Sequence, residues 1–248
     1  MKNLNNVIMK WLGKNRTLSL PRRYMGKVLT YFYTSYYANK GIIVTLVDSN
    51  SWQAPETLNL IKQIKAETEM GLLDPEAYQI CITTRKTEKI TGDVAEVGVY
   101  KGGSAKLICE TTKKPVHLFD TFEGLPDLSR LDNPEQFKKG DYSVPFESVK
   151  NYLKNYPNVH FYKGLFPSTA GPIKNKTFSF VHLDVDLYES TLDCLEFFYP
   201  RMNKGGVIIS HDYPGAKGVK KAFDEFFGGK PEMIISSTGC NQCLVIKV

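Results

Sequence analysis

Between residues 93 and 227, short apolar runs alternate with stretches whose apolar residues return every three or four positions. Val94 to Val97, Pro115 to Phe119, Val159 to Tyr162, Phe178 to Leu183 and Val207 to Ser210 have the length and the β-branched or aromatic content of buried strands. The intervening spacing predicts helices over Ser104 to Thr111, Glu147 to Asn155 and Leu187 to Tyr199. A further helix carries Val219, Ala222, Phe223, Phe226 and Phe227 on one side. Upstream, Leu58, Ile61, Ile64 and Lys65 mark one face of a helix over residues 56–70. Asp74-Pro75 opens another helix, with Asp74 as its N-cap, that runs to about Lys89. Met233 to Ser236 and Cys243 to Val248 close the chain as a hairpin turned at Thr238-Gly239. The pattern predicts an α/β fold: a doubly wound, mainly parallel seven-stranded sheet with a C-terminal antiparallel hairpin. The domain runs over residues 75–248, preceded by a basic and aromatic N-terminal cap and helical segment over residues 1–74.

Charge refines that division. Residues 1–50 hold eight Lys or Arg against Asp48 alone, a net of +7, which leaves −1 of the chain's +6 for residues 51–248. A basic nucleic-acid groove across the main domain is therefore not expected. Six tyrosines and phenylalanines between Tyr24 and Tyr37 do not hold a helical stripe. That favours an appendage packed on the body or on a second subunit over a membrane-surface helix, with closure of a substrate pocket as a third role. Cys81, Cys109, Cys194, Cys240 and Cys243 are an odd, scattered set, which reads as reduced structural thiols. Cys240 and Cys243 have redox spacing but lie in a hairpin, away from the helix start that activates such pairs. No apolar run is long enough to span a membrane, and the N-terminus lacks the apolar core of a signal peptide, so a cytoplasmic protein is expected.

Candidate chemistry gathers at the ends of the strands. Phe178 to Leu183 is apolar, then stops at Asp184 and Asp186, residues that contribute nothing to a core unless paired. In an open α/β sheet the carboxyl ends of the strands are where ligands bind. Asp186 could equally cap the helix that follows. Glu96 lies two residues before Gly98, in a strand that enters the glycine-rich Gly98 to Gly103 turn and the helix opened by Ser104. This is not the three-glycine dinucleotide fingerprint. A carboxylate here repels a pyrophosphate and attracts an ammonium or other cationic group. Asp120 ends the second strand, placed for the two hydroxyls of a ribose, and the polar stretch from Thr121 to Ser148 has the length of a lid or binding loop.

Four segments, Glu96-Val-Gly-Val-Tyr-Lys-Gly-Gly103, Phe119-Asp-Thr-Phe-Glu-Gly-Leu-Pro126, His182-Leu-Asp-Val-Asp-Leu-Tyr-Glu-Ser-Thr191 and His211-Asp-Tyr213, resemble the macrocin, mycinamicin and novobiocin type of sugar O-methyltransferase. The resemblance covers about residues 75–248. It implies a Rossmann-like class I methyltransferase that uses S-adenosyl-L-methionine and a divalent metal, usually Mg²⁺. By the same resemblance, Glu96, Gly98, Tyr100, Gly102, Gly103 and Ser104 hold the methionine end of the cofactor, with Asp184 beside them. Asp120 takes the ribose hydroxyls between Thr121 and Phe122, and Asp141 or Gly164 borders the adenine. Leu165 stands where the family has a tryptophan. Asp184, His211 and Asp212 fall on the metal-binding positions and Asp186 on the general base.

His211 departs from the family, which has an aspartate there. Imidazole suits Mn²⁺ and other transition ions better than Mg²⁺. Either the metal differs, or His211 turns away, or no metal is used. His182 and His211 are alternative bases, although a strand-end histidine that orients a carboxylate is the plainer role for His182. The expected function is O-methylation of a sugar hydroxyl on a natural product or glycan, by a homodimer. A nicotinamide-dependent oxidoreductase and a non-catalytic S-adenosylmethionine-binding protein are the rival readings on the same fold.

Overall fold

The computed structural model describes residues 55–236 and 240–248. The readings of residues 1–50 and of the Thr238-Gly239 turn lie outside them. Two helices, α1 (Pro55–Glu67) and α2 (Asp74–Thr87), precede the sheet. Next come β1 (Asp93–Val97), α3 (Gly103–Cys109), β2 (Val116–Asp120), α4 (Phe146–Tyr152), β3 (Val159–Lys163) and β4 (Phe178–Leu183). The chain ends with α5 (Tyr188–Phe198), β5 (Met202–His211), α6 (Lys217–Phe227), β6 (Ile235–Ser236) and β7 (Gln242–Ile246). The strands form one sheet in the order β3-β2-β1-β4-β5-β7-β6. The first five are parallel, and β7 runs antiparallel to both β5 and β6. This is the expected fold, with a shorter β6 than the sequence implies.

Two local expectations change. Asp74 is the first residue of α2 and not its cap: the chain enters through Leu73, whose amide donates to Glu76 Oε2 at 2.7 Å, while Asp74 pairs with Lys65. The fifth strand, expected from Val207, starts at Met202 and takes in Lys204-Gly205-Gly206. β5 begins at Met202 opposite Phe178, and the next pair, Phe180 with Val207, shows the extra residues bulging out at Gly205, where φ is +81°.

Every residue of β4 is buried, as its unbroken apolar run requires. Phe180 joins the core formed with α1, α2 and α3, whereas Phe178, Val181 and Leu183 pack against α5 and α6 on the other face. Burial of each such side chain is worth about 1.5–3 kcal/mol, so β4 is the strand least free to shift. From β1 the chain runs outward through β2 and β3, then returns to β4 on β1's other side. The chain leaving β1 and the chain leaving β4 therefore turn to opposite faces of the sheet, and a crevice opens at the switch point.

Gly98 shapes that crevice. Its φ is +88°, and a Cβ there would lie 1.8 Å from the Asp184 carbonyl oxygen. Only glycine lets the turn after β1 lie against the end of β4. The Gly98 amide donates to Phe119 O, and the Asp184 amide to Val97 O, each at 2.9 Å, which locks three strand ends together.

Candidate active site

A cavity of about 300 Å³ occupies the switch point. Of the residues singled out in the sequence, Gly98, Tyr100, Asp120, Thr121, Asp141, Gly164, Asp184, Asp186, His211 and Asp212 line it. Gly103 and Ser104 line a smaller crevice that shares Gly98, Tyr100 and Asp184 with it. Among the described non-glycine residues, five have positive φ: Tyr100, Phe122, Tyr142, Asp186 and Asp212. Four of these face the cavity. Such backbone costs on the order of 1–3 kcal/mol per residue, and it concentrates where a site is held in shape by its surroundings.

Asp120 sets the cofactor side of the cavity. Its Oδ2 accepts the amides of Val99 (2.7 Å) and Tyr100 (2.8 Å), and its Oδ1 accepts that of Phe122 (2.6 Å). One carboxylate thus holds both the turn after β1 and the start of the long loop, including two of the left-handed residues. A carboxylate has about four acceptor positions, so roughly one is left for a ligand. Gly102, with φ +82°, starts α3, and the space beside it is filled by Val149 and Tyr152. Phe122 is buried against Phe146, with ring centroids 4.8 Å apart, and does not reach the cavity.

Glu96 and His182 do not reach it either. They are register partners across β1 and β4, both 0 % exposed, and His182 Nδ1 lies 2.7 Å from Glu96 Oε1. Burial pushes the Glu96 carboxyl up, opposed by His182 and the Ser104 hydroxyl. Among the described residues, Glu96 Oε2 and His182 Nε2 have no hydrogen-bond partner. The pair sits under the floor of the site, so His182 orients a carboxylate and is not positioned as a base.

On the other side, Asp184, His211 and Asp212 bring one ligand atom each within 4.8 Å of the others. His211 Nδ1 is 3.2 Å from both Asp184 Oδ1 and Asp212 Oδ2, and its Nε2 is 3.5 Å from Glu76 Oε2. Burial opposes the charged ring, but the three carboxylates outweigh it and raise the His211 pKa well above the ordinary value. Asn241 Nδ2 donates to Asp212 Oδ1 at 2.6 Å. With metal–ligand bonds of about 2.1 Å, neighbouring ligands around one ion lie roughly 3.0–3.4 Å apart. The two His211 separations, at 3.2 Å, match that spacing and the carboxylates lie within 4.8 Å of one another, so the residue types and their approach suit a single divalent ion.

Asp186 faces this cluster. Burial is the largest influence on its carboxyl and Asp184 and Asp212 add to it, pushing its pKa well above the usual value. It does not cap α5. The Tyr188 amide donates instead to Asp132 Oδ1 (2.7 Å), while Asp132 Oδ2 accepts both the amide and the hydroxyl of Ser129. Tyr142, its ring edge-on to Tyr100 at 5.8 Å, closes the polar end of the cavity.

Sequence reasoning missed Glu76, Asn241, Asp132 and Tyr142. Glu76 carried a visible signal, the acid three residues into a helix start, but that signal points to a cap and not to a site. The five cysteines are free thiols, four of them buried.

The model of the macrocin-O-methyltransferase (TylF) family matches residues 64–231. The tetracenomycin 4′-O-methyltransferase of Streptomyces olivaceus, which acts on 8-demethyl-8-(2,3-dimethoxy-alpha-L-rhamnosyl)-tetracenomycin C, is 29% identical over 82% of this chain and 88% of its own length. The demethyldecarbamoylnovobiocin O-methyltransferase of Streptomyces niveus is 29% identical over 65% of this chain and 68% of its own. The solved structure of the O-methyltransferase NovP superposes with a TM-score of 0.60 and 25% identity, over 69% of this chain and 79% of that one.

Proposed function

The chain belongs to the macrocin-O-methyltransferase family, and from that premise we propose that it transfers a methyl group from S-adenosyl-L-methionine to a sugar hydroxyl of a natural product with the help of a divalent metal. Membership removes the oxidoreductase alternative. The observation that carries the finer reading is the Asp184, His211, Asp212 cluster, facing Asp186 across the cavity from the Gly98 turn. Relatives that methylate glycosylated natural products support a sugar acceptor.

When bound, the cofactor supplies an electrophilic methyl group and the metal a Lewis acid that acidifies the acceptor hydroxyl. Gly98, Tyr100, Gly103 and Ser104 line the path that the cofactor's methionine end would take. Asp120 offers its free acceptor position to a ribose hydroxyl. Thr121, Asp141 and Gly164 line the remaining wall, toward the adenine. Asp184, His211 and Asp212 would hold the ion, with Asp186 facing them. Asp186 accepts the hydroxyl proton as the oxygen attacks. Fixing the two reactants in line contributes much of the remaining acceleration.

The test pairs binding with turnover. The purified protein should bind S-adenosylmethionine, and Asp184→Ala and Asp186→Asn should keep that binding while methylation of rhamnosylated acceptors or demethyldecarbamoylnovobiocin, followed by mass spectrometry, falls about 10²–10⁴-fold. Full activity in Asp186→Asn would remove it as the base, and undiminished activity after chelation would remove the metal. No binding of cofactor would refute the proposal as a whole.

A further inference from the structure

Glu76 has no place in the mechanism above, yet its position is unusual for a helix-start acid. It is 1% exposed, and two groups from distant parts of the chain converge on it beside the amide of its own helix start. Oε2 accepts the Leu73 amide and faces His211 Nε2 at 3.5 Å, while Oε1 accepts the Asn241 amide at 2.6 Å. Asn241 in turn donates to Asp212. The outer carboxylate is thereby fixed relative to both His211 and its neighbour.

The two ring nitrogens of His211 therefore meet different surroundings. Nε2 faces a fixed carboxylate, which favours a proton there, and Nδ1 faces Asp184 and Asp212. In ligating histidines the nitrogen away from the ion characteristically donates to such an outer carboxylate, which sets the tautomer and raises the basicity of the other nitrogen. We propose that Glu76 is a positioning residue that commits His211 Nδ1 to metal ligation, and that the resulting nitrogen ligand shifts the site's preference from Mg²⁺ toward a transition-metal ion. The proposal rests on the metal reading of the Asp184, His211 and Asp212 cluster and adds the identity of its ion. Mg²⁺ favours an all-oxygen octahedron, whereas imidazole favours the later first-row ions.

The probes are Mn²⁺, Co²⁺ and Mg²⁺ added to chelator-treated full-length protein, without acceptor. Pulsed electron paramagnetic resonance of the Mn²⁺ form should show coupling to one imidazole nitrogen in the wild type and none in His211→Asp. Calorimetry should show Glu76→Gln weakening Co²⁺ binding about 10–100-fold while leaving Mg²⁺ affinity and S-adenosylhomocysteine affinity unchanged. In a His211→Asp background, Glu76→Gln should have no further effect on Co²⁺, and the ratio of Co²⁺ to Mg²⁺ affinity should already be reduced. Bound Mn²⁺ without nitrogen coupling, or equal weakening of both ions by Glu76→Gln, overturns the inference and leaves the metal reading intact. If none of the three ions binds, both fall, while cofactor binding and methyl transfer are measured separately. The wild-type spectrum decides the ligand question even if Glu76→Gln fails to fold.

Discussion

Gly98→Ala should damage stability and catalysis together, because one added methyl group strikes the end of β4. The new Cβ would lie 1.8 Å from the Asp184 carbonyl oxygen and 2.7 Å from its carbonyl carbon, whereas real Cβ atoms keep at least 3.0 Å. The backbone must then open by about 1.2 Å, since no flexible side chain can yield. A residue with a Cβ also carries about 1–2 kcal/mol of strain in the left-handed region. The Asp184 to Val97 and Gly98 to Phe119 hydrogen bonds span the place that must open, and loss of either is worth about 1 kcal/mol. The sum is about 2–4 kcal/mol, or roughly 4–16 °C in Tm for a domain of this size. Asp184 is displaced toward His211 and Asp212, and a misplacement of about 1 Å in a reacting site costs on the order of 10²-fold in rate. Differential scanning fluorimetry and a methyl-transfer assay on the same preparation read both effects. A Tm within about 1 °C of wild type with unimpaired turnover would refute the close approach of Gly98 to Asp184 and the locking role assigned to it.

His182→Ala should lower Tm strongly, since it leaves the Glu96 carboxylate buried without its partner, a change worth about 3–5 kcal/mol; a fully stable but inactive protein would restore His182 as a base. Asp132→Ala should cost about 1–2 kcal/mol by releasing the Tyr188 amide and Ser129, with hydrogen exchange rising at the start of α5; unchanged protection there would show that the bond is not made in solution. His117 is buried between Asp93 and Tyr162, and burial, the largest influence, lowers its pKa from 6.5 although Asp93 opposes it. Its contribution is complete above the unfolded-state pKa and lost as pH falls below it, so Tm should drop more between about pH 7 and pH 5 in the wild type than in His117→Phe. Equal drops would show that His117 does not titrate with unfolding.

The strand ends were legible because their logic is local. An apolar run that stops abruptly at Asp184 and Asp186, or at Asp120, announces both the strand and the point where it leaves the core. Glycines beside a carboxylate at Glu96 announced the turn but not its register. That Glu96 faces His182 follows from β1 lying next to β4, 86 positions away, and no spacing within either strand encodes the neighbour. Asp186 remained ambiguous for a related reason: its rival as the acceptor for the α5 amide, Asp132, comes from a loop without periodicity. Glu76 and Asn241, 165 positions apart, meet only because α2 packs near the end of β7. Their side chains read individually as a helix-start acid and a turn residue. The early start of β5 was not visible because Gly205-Gly206 suits a turn as well as a bulge, and the partner strand decides between them.

Asp132 divides the long connection between β2 and α4 into unequal parts with different freedom. By fastening Ser129 to the first amide of α5, with Gly218 of α6 leaving no space for a side chain against it, it makes the mid-loop a fixed post on the protein body. The limb from Asn133 to Tyr142 hangs between that post and Asp120's hold on Phe122 through the Gly124 to Asp141 region. Diversity introduced at its Tyr142 end can reshape the cavity wall, provided that Phe137, which packs in the core with α5 and α6, is kept. Libraries seeking new acceptors should randomise around Tyr142 and keep Ser129, Asp132 and Gly218 constant, because altering the post would trade away soluble protein before specificity could be sampled.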